Sequence, residues 1–375
     1  MAKKAKRVIT ILLASCLVVE WLPRTIDLDQ LYAASGTSEL STATDLRHTL
    51  LNAMSQRTEK LMFTYKGNVK GLKKQLQTSI DEAMKSDPYI QYTVKSYAFN
   101  YKGSNTTAEV HITLSYRETK AQTDYVNRKV DHVLKEIIKP GMTSHEKTTV
   151  IHDWIVLNLS YDTSLQKYTA YDGLATGSTV CQGYSLLAYR MLEQVGIENR
   201  IVEGKAGGQL HAWNLVKLDG KWYHMDTTWD DPTPDRKGKV SHNYYLLSDK
   251  EMARDHVWTG KNKYPSASAP YREALLQLMK SGGNKQEVYQ KLYHALEYSL
   301  YDEEDAIKER AVLKTKVQNI LKEGGTSLTF RYKGTENRLI EDLQDLYQLG
   351  MKSISYFVSK LEGTTDLRVK INWTM

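Results

Sequence analysis

Cysteine is almost absent: the 375 residues hold two, Cys16 and Cys181. That excludes a disulfide-stapled scaffold and zinc-finger cysteine spacing. Phenylalanine is scarce too, with 4 against 25 tyrosines, so the aromatic surfaces carry polar tips and suit grooves and amphipathic faces. No helix-turn-helix pattern or dense basic-aromatic patch is present, which argues against a nucleic-acid partner. No EF-hand loop appears, and no metal or cofactor is expected. Neither charge sign dominates: 51 Lys and Arg against 44 Asp and Glu leave a net +7, a mild bias that attracts an anionic wall polymer or membrane surface only weakly. With 41% hydrophobic and 25% charged residues, the chain is not of disordered composition and is long enough for two or three domains.

The apolar run near the N-terminus is too short to span a bilayer comfortably. "MAKKAKR" is a basic start, "VITILLASCLVV" an apolar stretch, and Glu20 ends it. With small residues at Ala33, Ala34 and Ser35, residues 1–35 read as a signal peptide. A competing reading takes "LASC" as a lipobox that lipidates Cys16. Both predict an extracellular or cell-surface protein with membrane contact only through that leader or lipid. Both leave Cys181 as the one remaining thiol, which in an oxidising compartment is either an inert buried hydrophobe or a reactive group.

Beyond a Ser/Thr-rich spacer, helical periodicity runs through "LRHTLLNAMSQRTEKL", followed by a strand in "LMFTYKG", a helix in "LKKQLQTSIDEAMK" and a strand in "AEVHITLSY". A helix through "NRKVDHVLKEII" stops at Pro140-Gly141. The pattern returns near the C-terminus, where Phe330-Arg331-Tyr332-Lys333-Gly334 matches Phe63-Thr64-Tyr65-Lys66-Gly67. Each motif precedes a helix, a break and an alternating strand, so a small β-α-β unit is used twice. The expected domains are 36–140, an N-terminal α/β domain; 141–265, a central domain; and 266–375, a helical plus β-α-β domain.

Cys181 stands where "GSTV" turns into an apolar-periodic helix. Thr179 and Gln182 have capping-box spacing, so Thr179 is the expected N-cap. The thiol then sits in the first turn, where free backbone N–H groups and the helix dipole favour a thiolate. Tyr184, Leu187, Ala188, Met191 and Val195 form the predicted inner stripe, and Cys181 lies on it. Further on, "HAWNLVKLDGKWYHMDTTWD" holds two strands about Asp219-Gly220, a strong hairpin signal. A two-residue turn there pairs Leu218 with Lys221 and, by extension, Trp213 with Asp226 and His211 with Thr228. His211 and Asp226 would share a face as diagonal neighbours. Cys181, His211 and Asp226 are therefore the candidate nucleophile, base and orienting acid. His224 shares the face, as a supporting polar residue or, with Cys181 and His211, a zinc ligand. His152 and His256 read as structural, and Trp213, Trp222 and Trp229 as packing.

Three segments in order, "IHDWIVLNLSYD", "GSTVCQGYSLLAYRMLEQVGI" and "HAWNLVKLDGKWYHMDTTWDDP", resemble the bacterial transglutaminase-like superfamily over about 144–260. The resemblance implies an α+β, papain-like core, with the cysteine helix packed on an antiparallel sheet; the two small α/β units expected to flank it lie outside the resemblance. It implies the same three roles for Cys181, His211 and Asp226, with an oxyanion met by the Cys181 N–H and by Trp154 or Tyr171. It implies a thioester formed from a protein or peptide amide and passed to an amine or to water, in either acyl transfer or hydrolysis. The rival readings are a non-enzymatic binding or wall-assembly module on the same fold, and a peptidoglycan amidase or endopeptidase.

Overall fold

The computed structural model describes residues 9–12, 38–231, 238, 240–258, 260–281, 283–361 and 363–375. The expected leader, with Cys16, lies outside them except for Ile9–Leu12, which pairs as an edge strand. Among the described residues, no helix is long and apolar enough to cross a membrane. The fold is α+β, and the chain forms two compact units, Met1–Tyr271 and Arg272–Met375.

The centre of the first unit is an antiparallel sheet in the order Lys221–Met225, Gln209–Leu218, Asn199–Ala206, His256–Trp258. Asp219 and Gly220 both have positive φ, 47° and 78°, the mirror-image turn whose twist matches that of the strands it joins. The ladder runs from Leu218–Lys221 to Asn214–Met225. It then stops, where the sequence extended it to Trp213–Asp226 and His211–Thr228. Asp226 leaves the strand, donates its N–H to the Tyr244 carbonyl and starts a turn.

Helix Cys181–Gln194 packs on this sheet and is enclosed by helices on its other sides. The sequence pattern marked one stripe, but Gln182, Ser185, Leu186, Tyr189 and Leu192 are buried as well, while Val195 is only half-buried. The neighbouring helices Pro88–Thr93, Lys120–Ile137, Ser144–Asn158 and Ala170–Thr176 cover the faces that periodicity assigned to solvent. The N-cap is Val180, not Thr179. Ser178–Thr179 pairs in parallel with Ser160–Tyr161 instead. The Thr179 hydroxyl donates to the Lys167 and Thr169 carbonyls, and the Gln182 amide donates to the Tyr92 carbonyl. Both halves of the expected capping box are thus engaged elsewhere.

The repeat read from Tyr-Lys-Gly extends well beyond that motif. Helices Ala43–Ser55 and Arg310–Lys322 each precede a strand, Lys60–Lys66 or Ser327–Tyr332. In each copy a helix follows, Leu72–Lys85 or Glu336–Gln344, and then two strands rather than one. The inserted strands, Val94–Gly103 and Ser353–Lys360, are absent from the sequence reading. In both copies the last strand sits in the middle, antiparallel to its two neighbours. The offset is constant at 267 residues: parallel partners Leu40–Tyr65 recur as Ile307–Tyr332 (307 − 40; 332 − 65). The Tyr65–Gln75 hydrogen bond recurs as Tyr332–Asp342 (342 − 75). Core residues Leu46, Leu50, Phe63, Leu72 and Leu76 correspond to Leu313, Val317, Phe330, Leu339 and Leu343.

Gly183 sets how closely the cysteine helix approaches the segment before it. A Cβ there would lie 2.0 Å from Thr179 Oγ1 and 2.7 Å from the Thr169 carbonyl oxygen. In an open helix Gly→Ala stabilises by about 1 kcal/mol. Here overpacking against backbone costs about 1–3 kcal/mol and decides the sign. Gly183→Ala is therefore expected to lower the urea midpoint; an unchanged or raised midpoint would show that the helix is not held this tightly.

Candidate active site

Cys181 is the first residue of its helix, so its side chain leaves the end where backbone N–H groups have no helical partners. His211 lies on the adjacent strand Gln209–Leu218, within hydrogen-bonding reach of the Cys181 sulfur. Its Nε2 is 2.6 Å from Asp226 Oδ2, which leaves Nδ1 as the ring nitrogen for the thiol. All three residues are buried. The structure thus brings the sequence-selected Cys181, His211 and Asp226 into one line.

The carboxylate at the end of that line is held on every side. Asp226 Oδ1 accepts the Thr228 and Trp229 N–H groups at 3.0 and 3.1 Å. Oδ2 is shared by His211 and by His256 Nε2, the latter at 3.0 Å. His256 Nδ1 is 2.6 Å from Asp255 Oδ1, and Asp255 Oδ2 accepts the Tyr244 hydroxyl at 2.6 Å. His256, read from the sequence as structural, therefore fixes the back of the catalytic carboxylate candidate. No short-range signal marks it, because thirty residues separate the two (256 − 226) and a separate edge strand carries it.

Aromatic rings fix His211 in orientation. Trp213 stacks on it at 5.8 Å and 21°, and Trp229 lies tilted at 6.2 Å. Trp213 is itself anchored, since its indole N–H donates to His224 Nδ1 at 2.9 Å. An accepting Nδ1 leaves His224 to donate from Nε2 to Asp249 Oδ1, also at 2.9 Å. With both nitrogens so engaged, His224 supports Trp213 and is not arranged as a zinc ligand with Cys181 and His211. Burial pushes the His224 pKa down, toward the neutral ring this arrangement requires.

Electrostatics separate the two histidines. Burial works against a charged His211, but the Asp226 charge and hydrogen bond, with Cys181 adding to them, outweigh it and push the ring up to about 10. Asp226 is subject to the same burial, yet His211 and His256 hold it well below the usual carboxylate range. Two phenols face the thiol. Pairing of Ser160–Tyr161 with Ser178–Thr179 sets Tyr161 beside the start of the cysteine helix, and both Tyr161 and Tyr168 interact electrostatically with Cys181. Burial, then Cys181 and nearby acids, push Tyr161 up to about 12, so it stays a donor at neutral pH. The Tyr168 hydroxyl donates to the Leu165 carbonyl. Of the donors named from sequence, Tyr171 packs its ring on Tyr125 and gives its N–H to Glu118, and Trp154 extends from helix Ser144–Asn158. Tyr161, which interacts electrostatically with Cys181, is a further candidate donor, and it lies in the "NLSYD" segment, to which the sequence pattern assigns no role.

Comparison with known proteins places part of this chain beside one family. Residues 131–227 match the family described as Transglutaminase-like superfamily. The human kyphoscoliosis peptidase is 28% identical over 156 residues, covering 36% of this chain and 24% of that protein. The mouse kyphoscoliosis peptidase is 26% identical over 185 residues, covering 43% and 28%. The chain spans about a quarter of the length of these curated relatives. Among solved structures, one described as a TGase aligns over 52% of this chain and 61% of its own, at 15% identity and a TM-score of 0.27; so distant a likeness bears on no detail of the site. The similarity to the transglutaminase-like superfamily thus covers residues 131–227 of this chain.

Proposed function

We propose that this protein is a thiol enzyme acting on protein or peptide amide bonds, with Cys181 as nucleophile, His211 as proton carrier and Asp226 as orienting acid. The observation that carries the reading is the Cys181–His211–Asp226 alignment inside a superfamily of thiol acyltransferases and peptidases. His211 takes the thiol proton, and the sulfur attacks the amide carbon to form a tetrahedral oxyanion. The C–N bond breaks as His211 returns that proton to the leaving amine, and a thioester remains. An incoming amine restores an amide; water yields a carboxylate. The Cys181 N–H and the Tyr161 hydroxyl are the proposed oxyanion donors. The basic and apolar leader supports action outside the cytoplasm, where the substrates are surface proteins or wall peptides.

Because all three groups are buried, their charges act in a low dielectric and hold the imidazolium strongly. A raised histidine pKa adds stability that is fully present below the unfolded value near 6.5 and is lost as pH rises through the folded one. His211, at about 10, and His152, at about 9, both act in this sense. The urea midpoint is expected to fall between pH 6.5 and 10. Asp226→Asn should remove the His211 share of that slope, because burial alone then lowers its pKa. An equal fall in both proteins would contradict the coupling.

The direct test of the proposal is selective alkylation. A thiol-reactive peptide amide analogue should label Cys181 in the native chain and nothing in Cys181→Ala, and Asp226→Asn should react about 10²–10⁴-fold more slowly. Equal labelling of native and urea-unfolded protein would mean an unactivated thiol.

Tyr161→Phe is expected to lower kcat on the order of 10²-fold with little change in KM, as loss of one oxyanion donor does. A rise in KM at constant kcat would instead assign Tyr161 to substrate binding.

A further inference from the structure

A second cluster of histidines and carboxylates lies in the first unit and takes no part in the proposed reaction. His152 and Asp153 are adjacent on helix Ser144–Asn158, and His242 reaches them from the segment that precedes Tyr244. Asp153 Oδ1 lies 2.9 Å from His152 Nδ1 and 2.8 Å from His242 Nε2. These three atoms all lie within 4.8 Å of one another.

We infer that His152, Asp153 and His242 form a binding site for a divalent transition-metal ion of the zinc class, with Asp230 as its outer-sphere carboxylate. Tetrahedral ligands at 2.0–2.1 Å from zinc stand about 3.3 Å apart, so the present spacing needs only a slight opening. The two imidazoles present their rings at 5.1 Å, the separation of two histidines sharing one small ion. The donor set, two imidazoles and one carboxylate, suits zinc and its neighbours rather than calcium or magnesium.

The surroundings support the assignment independently of the three ligands. His152 Nε2 faces Asp230 Oδ2 at 3.1 Å, with both side chains fully buried. A ligating histidine commonly directs its second nitrogen at a carboxylate in this way, which fixes the ring and raises its basicity. Asp230 is held in turn by the Tyr244 N–H at 2.9 Å. Asp153 and His242 are 32% and 20% exposed, so an ion has a route in and room for water ligands. Among the described residues one other group of this kind exists, His211, Asp226 and His256. It is closed to solvent, and its carboxylate already accepts four N–H groups.

The ion would tie the His242–Tyr245 segment to helix Ser144–Asn158. That segment accepts the Asp226 N–H through the Tyr244 carbonyl, so the metal would brace the turn carrying the orienting acid without touching it.

The test uses the full chain without a polyhistidine tag and with Cys16→Ser and Cys181→Ala, which together remove both thiolate competitors. Calorimetric titration with Zn²⁺ should show one equivalent bound and a raised melting temperature. Adding His242→Ala, or separately Asp153→Asn, should weaken binding at least tenfold and abolish the thermal shift, with near-ultraviolet circular dichroism unchanged. No stoichiometric binding would overturn the inference. So would binding that survives both variants and is lost in His211→Ala, which would place the ion in the catalytic cluster.

Discussion

Asp226 is the group on which the centre of the first unit depends. An ionised carboxylate with no access to water is costly unless every lone pair is met. Here two backbone N–H groups meet one oxygen and two imidazoles the other. The backbone donors exist only because the hairpin ladder ends at Met225. A ladder continued to residue 228 would have turned the N–H groups of 228 and 229 along the sheet rather than toward the side chain. The departure from regular pairing is therefore what makes the charge tolerable, and the same turn delivers Asp230 to the second histidine cluster.

The candidate line was readable because each of its members has a local signature. Cys181 stood out by rarity and by its position at a helix start, His211 and Asp226 by a hairpin whose Asp-Gly turn sets the register over five residue pairs. What was not readable came from tertiary approach. Thr179 has the right spacing for a cap, but its hydroxyl is bound to carbonyls ten and twelve residues upstream. The hydrophobic stripe of the cysteine helix gave one face correctly. It could not reveal that four surrounding helices bury the other faces, because Gln182, Ser185 and Tyr189 are polar: the Gln182 amide reaches the Tyr92 carbonyl, and the Ser185 and Tyr189 hydroxyls bond within their own helix. His256 and His242 were invisible as members of any site because each meets its carboxylate across a long sequence separation, 30 and 89 residues.

Burial bears on the oldest alternative for Cys181, that it is simply a small hydrophobe. An inert cysteine would be expected among apolar neighbours. This one faces an imidazole held in its charged form by a carboxylate, with two phenols close enough to feel its charge. Such surroundings are wasteful around an uncharged side chain, since each polar group had to be buried and satisfied. Around the sulfur of the proposed nucleophile, each has a use.

The duplicated modules show which of their contacts matter for packing and which are free to change. At the constant offset, the apolar positions stay apolar and the Tyr65 and Tyr332 hydroxyls keep a side-chain acceptor at the same place. The surface beside them changes as a set. In the first copy Ala43, Gln75 and Thr78 line an open groove of about 320 Å³. Their counterparts are Arg310, Asp342 and Asp345, and Arg310 bonds both acids at 2.8 Å. A small residue beside two neutral ones has become a guanidinium between two carboxylates, so the side chain that occupies the space brought its own counter-charges. The Asp342 replacement is not tolerable alone, because an unpaired Asp342, 2% exposed, would be a buried charge with only a phenol to meet it. In both copies the tyrosine keeps a side-chain acceptor at the same position, and the last strand keeps its central place in the sheet.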